Sequence, residues 1–241
     1  MSPATDGRAP PPWGILASSA WVLGAFVISF VAASGVFIAL QPGSLRSPVG
    51  YDGVVIAIGA LASTPVQVAV LAMAAQLRHW RPAEYLGLNI PRRGEVIVAV
   101  ICVAVLCIVF DALFYLTGRE LVPVFQLESY RTAQNAGWLL WLMLAIVVVA
   151  PVGEEIVFRG FLYRGLARPG REMIAVAVIA LAWAMLHIQY DWVGMAQIFA
   201  AGLILGWFRW ASGSTTLCIV MHVLVNAEAM LETWIKIQYF S

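Results

Sequence analysis

Long apolar runs alternate with short polar segments along almost the whole chain of 241 residues. A helix needs about 20 mainly apolar residues to cross the hydrocarbon core of a bilayer. Seven runs meet or approach this length, with approximate bounds 13–40, 54–77, 95–116, 138–167, 171–187, 192–210 and 215–237. The pattern therefore predicts an all-α fold, a polytopic transmembrane helix bundle of about seven spans.

The connections between the runs are short, and no soluble insert separates them. We therefore expect one transmembrane domain over residues 13–241. The preceding segment, 1–12, is polar and rich in proline, which predicts a disordered tail. Residues 117–136 are predicted to be a polar loop between the third and fourth spans.

The composition supports a membrane protein and excludes several classes of partner. The chain is 62% hydrophobic and 11% charged, whereas soluble domains average about 45–50% apolar and about 25% charged residues. No basic face indicates a nucleic-acid partner, and no phosphate-binding loop indicates a nucleotide. The zinc helix H-E-x-x-H and the nucleophile elbow G-x-S-x-G are also missing from the sequence.

The distribution of basic residues predicts the orientation. With the N-terminus inside, the inner segments carry nine arginines and the outer segments carry four basic residues, leaving out Arg159. The positive-inside rule favours this arrangement. We expect a multi-pass protein of the bacterial cytoplasmic membrane, with the lipid bilayer as its surroundings and the C-terminus outside.

Glu154, Glu155 and Arg159 stand out because they continue an apolar run. A charge in the middle of a membrane helix costs roughly 2.5–3.5 kcal/mol on insertion scales, so a functional site is the default interpretation. Glu155 and Arg159 are four residues apart, which favours an ion pair on one helix face. Such a pair is either structural or a support for the site, and Glu154 points about 100° away from it.

Helical spacing predicts which other polar side chains approach Glu154. Glu154 lies 15 residues before the turn near Pro169, and His187 lies 17 residues after Gly170. Their depths from that turn are roughly 23 and 26 Å, so we expect them at one level. His222 lies only roughly 12 Å into the last span and agrees less well.

Two further pairs of polar or aromatic residues are four apart: Trp183 with His187, and His222 with Asn226. Each pair therefore shares a helix face. Alone, a membrane histidine is more often a helix-packing residue. Asp111 is expected to have a structural role or to line a cavity.

Taken together, these residues resemble the three motifs of the CPBP family, the CAAX prenyl endopeptidase and bacteriocin-processing intramembrane proteases, also called the Abi family. The motifs in this chain are Glu154-Glu155-x-x-x-Arg159, Trp183-x-x-x-His187 and His222-x-x-x-Asn226. The resemblance covers about residues 138–230, a protease-like core in the last four helices. Trp183 is a departure, since the family more often has phenylalanine there.

The resemblance implies an intramembrane endopeptidase that hydrolyses a peptide bond of a membrane-associated or prenylated-type protein. It implies that Glu154, helped by His187, activates a water, and that His222 and Asn226 stabilise the oxyanion. Glu155 and Arg159 would support the site. The family is often labelled metalloprotease. We favour no cofactor, with zinc held by Glu154, His187 and His222 as the open alternative.

Two other functions stay open on the sequence alone. The first is a catalytically silent relative that acts as an immunity or scaffold protein in the membrane. The second is a proton-coupled transporter with a relay through Glu154, Glu155 and His187. For a protease, we expect a cavity open to the cytoplasm, where the basic inner loops would attract the C-terminal carboxylate of the substrate.

Overall fold

The computed structural model describes residues 10–40 and 51–240, and over these residues it contains helices and no strand. The helices are α1 Ile15–Leu40, α2 Gly53–Leu77, α3 Pro82–Leu86, α4 Arg93–Leu116, α5 Val124–Asn135, α6 Leu139–Leu166, α7 Glu172–Met185, α8 Trp192–Ser212 and α9 Thr215–Tyr239. The predicted all-α class is confirmed. The first nine residues of the predicted tail lie outside the described residues.

Six described helices, α1, α2, α4, α6, α8 and α9, are long and apolar enough to cross a membrane. The chain is therefore a multi-pass membrane protein. The predicted fifth span corresponds to α7, which is apolar but has only 14 residues. Its length is about 21 Å, less than the hydrocarbon thickness of about 30 Å. α7 ends at Met185, so His187 lies in the connection to α8.

The connection after α7 is short because Asp191 starts the next helix. The side chain of Asp191 accepts hydrogen bonds from the backbone N–H groups of Val193 and Gly194, at 3.1 and 2.9 Å. This is an N-cap, which satisfies donors that a helix start leaves unpaired. His187 and Asp191 are therefore held at the same end of the bundle.

The expected polar loop 117–136 contains a helix, α5. Gln126 of α5 donates to the carbonyl of Ala229 in α9 at 2.8 Å and to Oγ1 of Thr233 at 2.6 Å. On its other side, α5 lies so close to α2 that a Cβ on Gly53 would stand 2.0 Å from the carbonyl oxygen of Ser129. The loop prediction was wrong here because this polar segment forms a helix whose side chains bind a neighbouring helix.

α6 runs through the centre of the bundle. Its residues Val157 and Phe161 are fully buried in the largest apolar cluster, together with side chains from the surrounding helices. Beside it, α7 and α8 pack closely, since a Cβ on Gly202 would lie 2.9 Å from the Cβ of Ala180. Gly206 faces α7 in the same way, since its Cβ would lie 2.6 Å from Cγ1 of Val176.

Candidate active site

Two π-helical segments, Ala145–Val149 and Ile156–Leu162, flank the part of α6 that carries Glu154 and Glu155. In the first segment the N–H of Ala150 donates to the carbonyl of Ala145. The next donor in that pattern would be position 151, but Pro151 has no N–H. The carbonyl of Ile146 is therefore free to accept another donor.

Asn226 of α9 supplies this donor. Its Nδ2 donates to the carbonyl of Ile146 at 2.8 Å. An amide NH₂ carries two hydrogens, so one hydrogen of Asn226 remains for another acceptor. A side chain also donates to the second π segment, since Nε of Arg209 donates to the carbonyl of Arg159 at 2.8 Å. Short π-helical segments occur often at functional sites.

Glu155 is buried and accepts hydrogen bonds from two other side chains of the site. Its Oε1 accepts from Arg159 at 2.7 Å, and the side chains of Glu155 and Arg159 are 0% and 1% exposed. The predicted i,i+4 ion pair is therefore present. The same oxygen lies 2.9 Å from Nδ1 of His222. Because that carboxylate oxygen pairs with a guanidinium, Nδ1 of His222 carries a hydrogen and donates it.

Arg159 is held from several directions. Besides Glu155, it donates to the carbonyl of Gly202 at 3.3 Å, and its guanidinium lies 4.5 Å from the ring centre of Trp183. Among the described residues, Oε2 of Glu155 and Nε of Arg159 are buried and find no hydrogen-bond partner. A change that removes one member of this pair would leave a buried charge, which is costly.

Glu154 meets a partner that the sequence did not reveal. Nε1 of Trp183 donates to Oε2 of Glu154 at 2.5 Å. The rings of His187 and His222 lie with their centres 5.1 and 5.2 Å from that of Trp183. The indole of Trp183 thus contacts residues from all three motifs.

His187 has one nitrogen fixed and one available. Its Nδ1 lies 2.9 Å from the carbonyl oxygen of Trp183, and a carbonyl only accepts, so Nδ1 donates. In the neutral ring, Nε2 is then an acceptor. Glu154 and His187 both contact Trp183, and no direct hydrogen bond joins these two side chains.

A cavity of about 390 Å³ lies above these side chains. Trp183, His187, His222 and Asn226 all line it. Glu154 is half-buried and is not among the lining residues, but it reaches the cavity wall through the indole of Trp183. Three of the four predicted catalytic residues therefore share one cavity, and the fourth contacts its wall.

Three carboxylates, which we call the acidic wall, line the same cavity: Asp111, Glu228 and Glu232. One oxygen from each lies within 4.8 Å of the others. Asp111 thus lines a cavity, one of its two expected roles. The sequence contained a signal for the other two, since Glu228 and Glu232 are four residues apart in an apolar run.

The alternative zinc ligands, Glu154, His187 and His222, do not bring their ligand atoms as close together as the acidic wall does. Among the described residues, the acidic wall is the group whose candidate ligand atoms lie within 4.8 Å of one another. Nε2 of either histidine and a carboxylate oxygen are suitable zinc donors. The donor types therefore fit zinc, whereas their spacing in this structure does not.

The cavity opens at the end of the bundle where α4 and α7 end and α8 begins. Its rim includes Arg119, Glu120 and Asp191. Arg119 forms an ion pair with Asp191, and Lys236 of α9 forms one with Glu120. The bond from Lys236 lowers the pKa of Glu120, and the N-cap bond from Gly194 lowers the pKa of Asp191.

The position of this rim shows that two expectations are incompatible: an N-terminus on the inside and a cavity open to the cytoplasm. The predicted orientation puts Arg119 outside, so a cavity with Arg119 at its rim cannot also open to the cytoplasm. The arginine-rich connections, such as Arg168 and Arg171, lie at the opposite end. They cannot attract a substrate carboxylate to the cavity entrance, because exposed charges farther apart than about 10 Å are largely screened.

Tyr190 is a further cavity residue that the sequence did not single out. It packs edge-on against Phe125, with ring centres 4.8 Å apart. Burial, and then the negative charge of Glu154, raise the pKa of Tyr190 to about 12. Its hydroxyl therefore remains a hydrogen-bond donor in the cavity at neutral pH.

The three motifs and the cavity residues of α7–α9 fall largely in one segment, and this segment is similar to a known family. Residues 136–227 match the family model described as type II CAAX prenyl endopeptidase Rce1-like. The resemblance predicted from the motifs is confirmed over this segment, which supports a CAAX-type membrane protease. No curated protein and no solved structure matches the chain.

Proposed function

We propose that this protein is an intramembrane endopeptidase that cleaves a membrane-associated protein with a water activated by Glu154. The observation that supports it best is the arrangement around Trp183. There, Glu154 is hydrogen-bonded, and His187, His222 and Asn226 line one cavity. The cavity lies at the segment that matches the CAAX endopeptidase family.

In the proposed first step, the carboxylate of Glu154 takes a proton from water while the hydroxide attacks the scissile carbonyl carbon. Nε2 of neutral His187 accepts the second hydrogen of the same water as a hydrogen bond and orients it. The proton on Glu154 then passes to the leaving amine as the C–N bond breaks. The products are a carboxylic acid and an amine, and Glu154 is restored.

The oxyanion of the tetrahedral intermediate needs fixed donors. Asn226 offers the Nδ2 hydrogen that Ile146 does not use. His222 can donate from Nε2 only when both ring nitrogens carry hydrogen, because Nδ1 already donates to Glu155. Glu155 would therefore act as the counter-ion of an imidazolium, which is the role we assign to it.

The proposed mechanism routes no step through a metal. If zinc were bound, Glu154, His187 and His222 would have to move closer together than they are here. In that case the ion would polarise the scissile carbonyl and its bound water.

Two rival functions make different predictions. A silent immunity or scaffold protein would not need the hydrogen bonds that fix Glu154 and His187. A proton-coupled transporter needs a polar path across the whole membrane. Beyond His222, however, Glu155 and Arg159 are fully buried, and so are Phe161 and Leu217 of the largest apolar cluster. We therefore favour the protease.

The decisive experiment compares peptide termini in membranes that contain the wild-type protein, Glu154→Gln or Glu128→Gln. Glu128 lies exposed on α5, so its variant is a matched control for loss of one carboxylate. We expect new termini with the wild type and the control and none with Glu154→Gln. Identical termini from all three proteins, equally abundant and folded, would contradict the protease proposal.

A further inference from the structure

Trp183 holds the carboxylate of Glu154, and no other hydrogen-bond donor in the described structure does so. The indole is 4% exposed and lies two residues before the end of α7. Its Nε1 donates to Oε2 of Glu154 at 2.5 Å. A charge-assisted bond of this length is among the stronger hydrogen bonds in proteins.

The ring itself is fixed by its surroundings. The guanidinium of Arg159 lies 4.5 Å from the ring centre, and this contact is a cation–π interaction. The rings of His187 and His222 stand nearly perpendicular to the indole, at 76° and 80°. A Cβ on Gly202 would lie 3.2 Å from Cε3 of the indole, so α8 closes the remaining side. The indole therefore has little freedom to rotate, and its N–H points in one direction.

Building on the proposed function, we infer that Trp183 is a positioning residue that orients Glu154 for water activation. With Oε2 occupied by the indole N–H, the other oxygen of Glu154 is the one left to accept the proton of water. Without the indole N–H, the carboxylate could rotate about its terminal bond, which is broad and nearly two-fold. The fraction of time spent in the reactive geometry would fall, and misplacement of about 1 Å can cost about 100-fold in rate.

Trp183→Phe tests this inference because phenylalanine keeps an aromatic face for Arg159 but has no N–H. The free energy of a hydrogen bond to a charged group is equivalent to a factor of about 10–100 in an equilibrium or rate constant. We therefore expect kcat to fall about 10- to 100-fold while KM changes less than about twofold. Trp210→Phe is the matched control, since Trp210 is 47% exposed on α8. It should leave kcat and KM unchanged. Wild-type kcat in a folded Trp183→Phe protein would overturn the inference.

A spectroscopic measurement tests the hydrogen bond without relying on enzyme activity. The chain has 10 tryptophans, and 5-fluorotryptophan labelling gives each a ¹⁹F resonance. One resonance should shift in Glu154→Gln and stay in place in Glu128→Gln. The same resonance should be missing from the spectrum of folded Trp183→Phe protein. No resonance that responds to Glu154→Gln would refute the bond.

The outcomes separate this inference from the proposed function. If the wild type produces no new peptide termini, the protease proposal and the positioning role fall together. If the wild type cleaves, Glu154→Gln does not, and Trp183→Phe cleaves at the full rate, only the role of Trp183 is rejected. A fall in kcat with an unchanged KM, together with the shifted resonance, would support both.

Discussion

The buried pair of Glu155 and Arg159 allows stability and catalysis to be separated. Oε1 of Glu155 accepts from Arg159 at 2.7 Å and from His222 at 2.9 Å, and the carboxylate is 0% exposed. In Glu155→Leu, the guanidinium would keep two of its contacts within the described part of the chain, the carbonyl of Gly202 at 3.3 Å and the face of Trp183. Removing one partner of a buried pair costs about 3–5 kcal/mol, so we expect the free energy of unfolding of Glu155→Leu to fall by this amount.

The double variant Glu155→Leu/Arg159→Met should recover most of that stability, because no unpaired charge remains in the core. Replacing a whole buried pair by apolar side chains of similar volume is often neutral or stabilising, by about 1–4 kcal/mol. The double variant should nevertheless stay inactive, since Nδ1 of His222 loses its acceptor. A stable but inactive protein would show that Glu155 positions His222.

The free energies of unfolding can be compared by titrating SDS into mixed micelles, with substrate cleavage measured on the same preparations. Glu128→Gln, an exposed carboxylate change, should stay within about 0.5 kcal/mol of the wild type. A double variant as unstable as Glu155→Leu would show that the charge of Arg159 is not the cause of the loss. A fully active double variant would refute the role of Glu155 at His222.

Two further predictions concern helix packing and the cavity entrance. Gly206→Ala should destabilise the protein by about 1–3 kcal/mol, because the new Cβ would lie 2.6 Å from Cγ1 of Val176. Gly59→Ala is the control, since a Cβ there meets no atom within 4 Å, and it should not destabilise the protein. Equal thermal stability of the two variants would contradict the close packing of α7 on α8. Gln189→Cys at the entrance should react with a membrane-impermeant maleimide added outside intact cells, and Arg168→Cys at the other end should react only after lysis. The reverse pattern would reverse the orientation and make the entrance cytoplasmic.

The sequence alone determined the features that depend on local spacing. Apolar runs predicted about seven spans, and six of them are described helices long enough to cross a bilayer. The ion pair of Glu155 and Arg159 followed from the i,i+4 geometry of one helix. The three motifs, taken together in order, led to the family that matches residues 136–227.

Only the tertiary structure decided which side chains meet across helices. The rotation of each helix about its own axis and the points where helices end are set by packing, and the spacing within one run does not contain them. The sequence therefore missed that His222 pairs with Glu155, that Trp183 donates to Glu154 and that Asn226 donates to the carbonyl of Ile146.

The ends of the helices also decided where the cavity opens. α7 stops at Met185, and the N-cap of α8 follows at Asp191. This early stop leaves room beside α4 and α9 for the cavity and its acidic wall. Hydropathy measures how apolar a segment is, but the shape of the space between segments depends on how all of them pack.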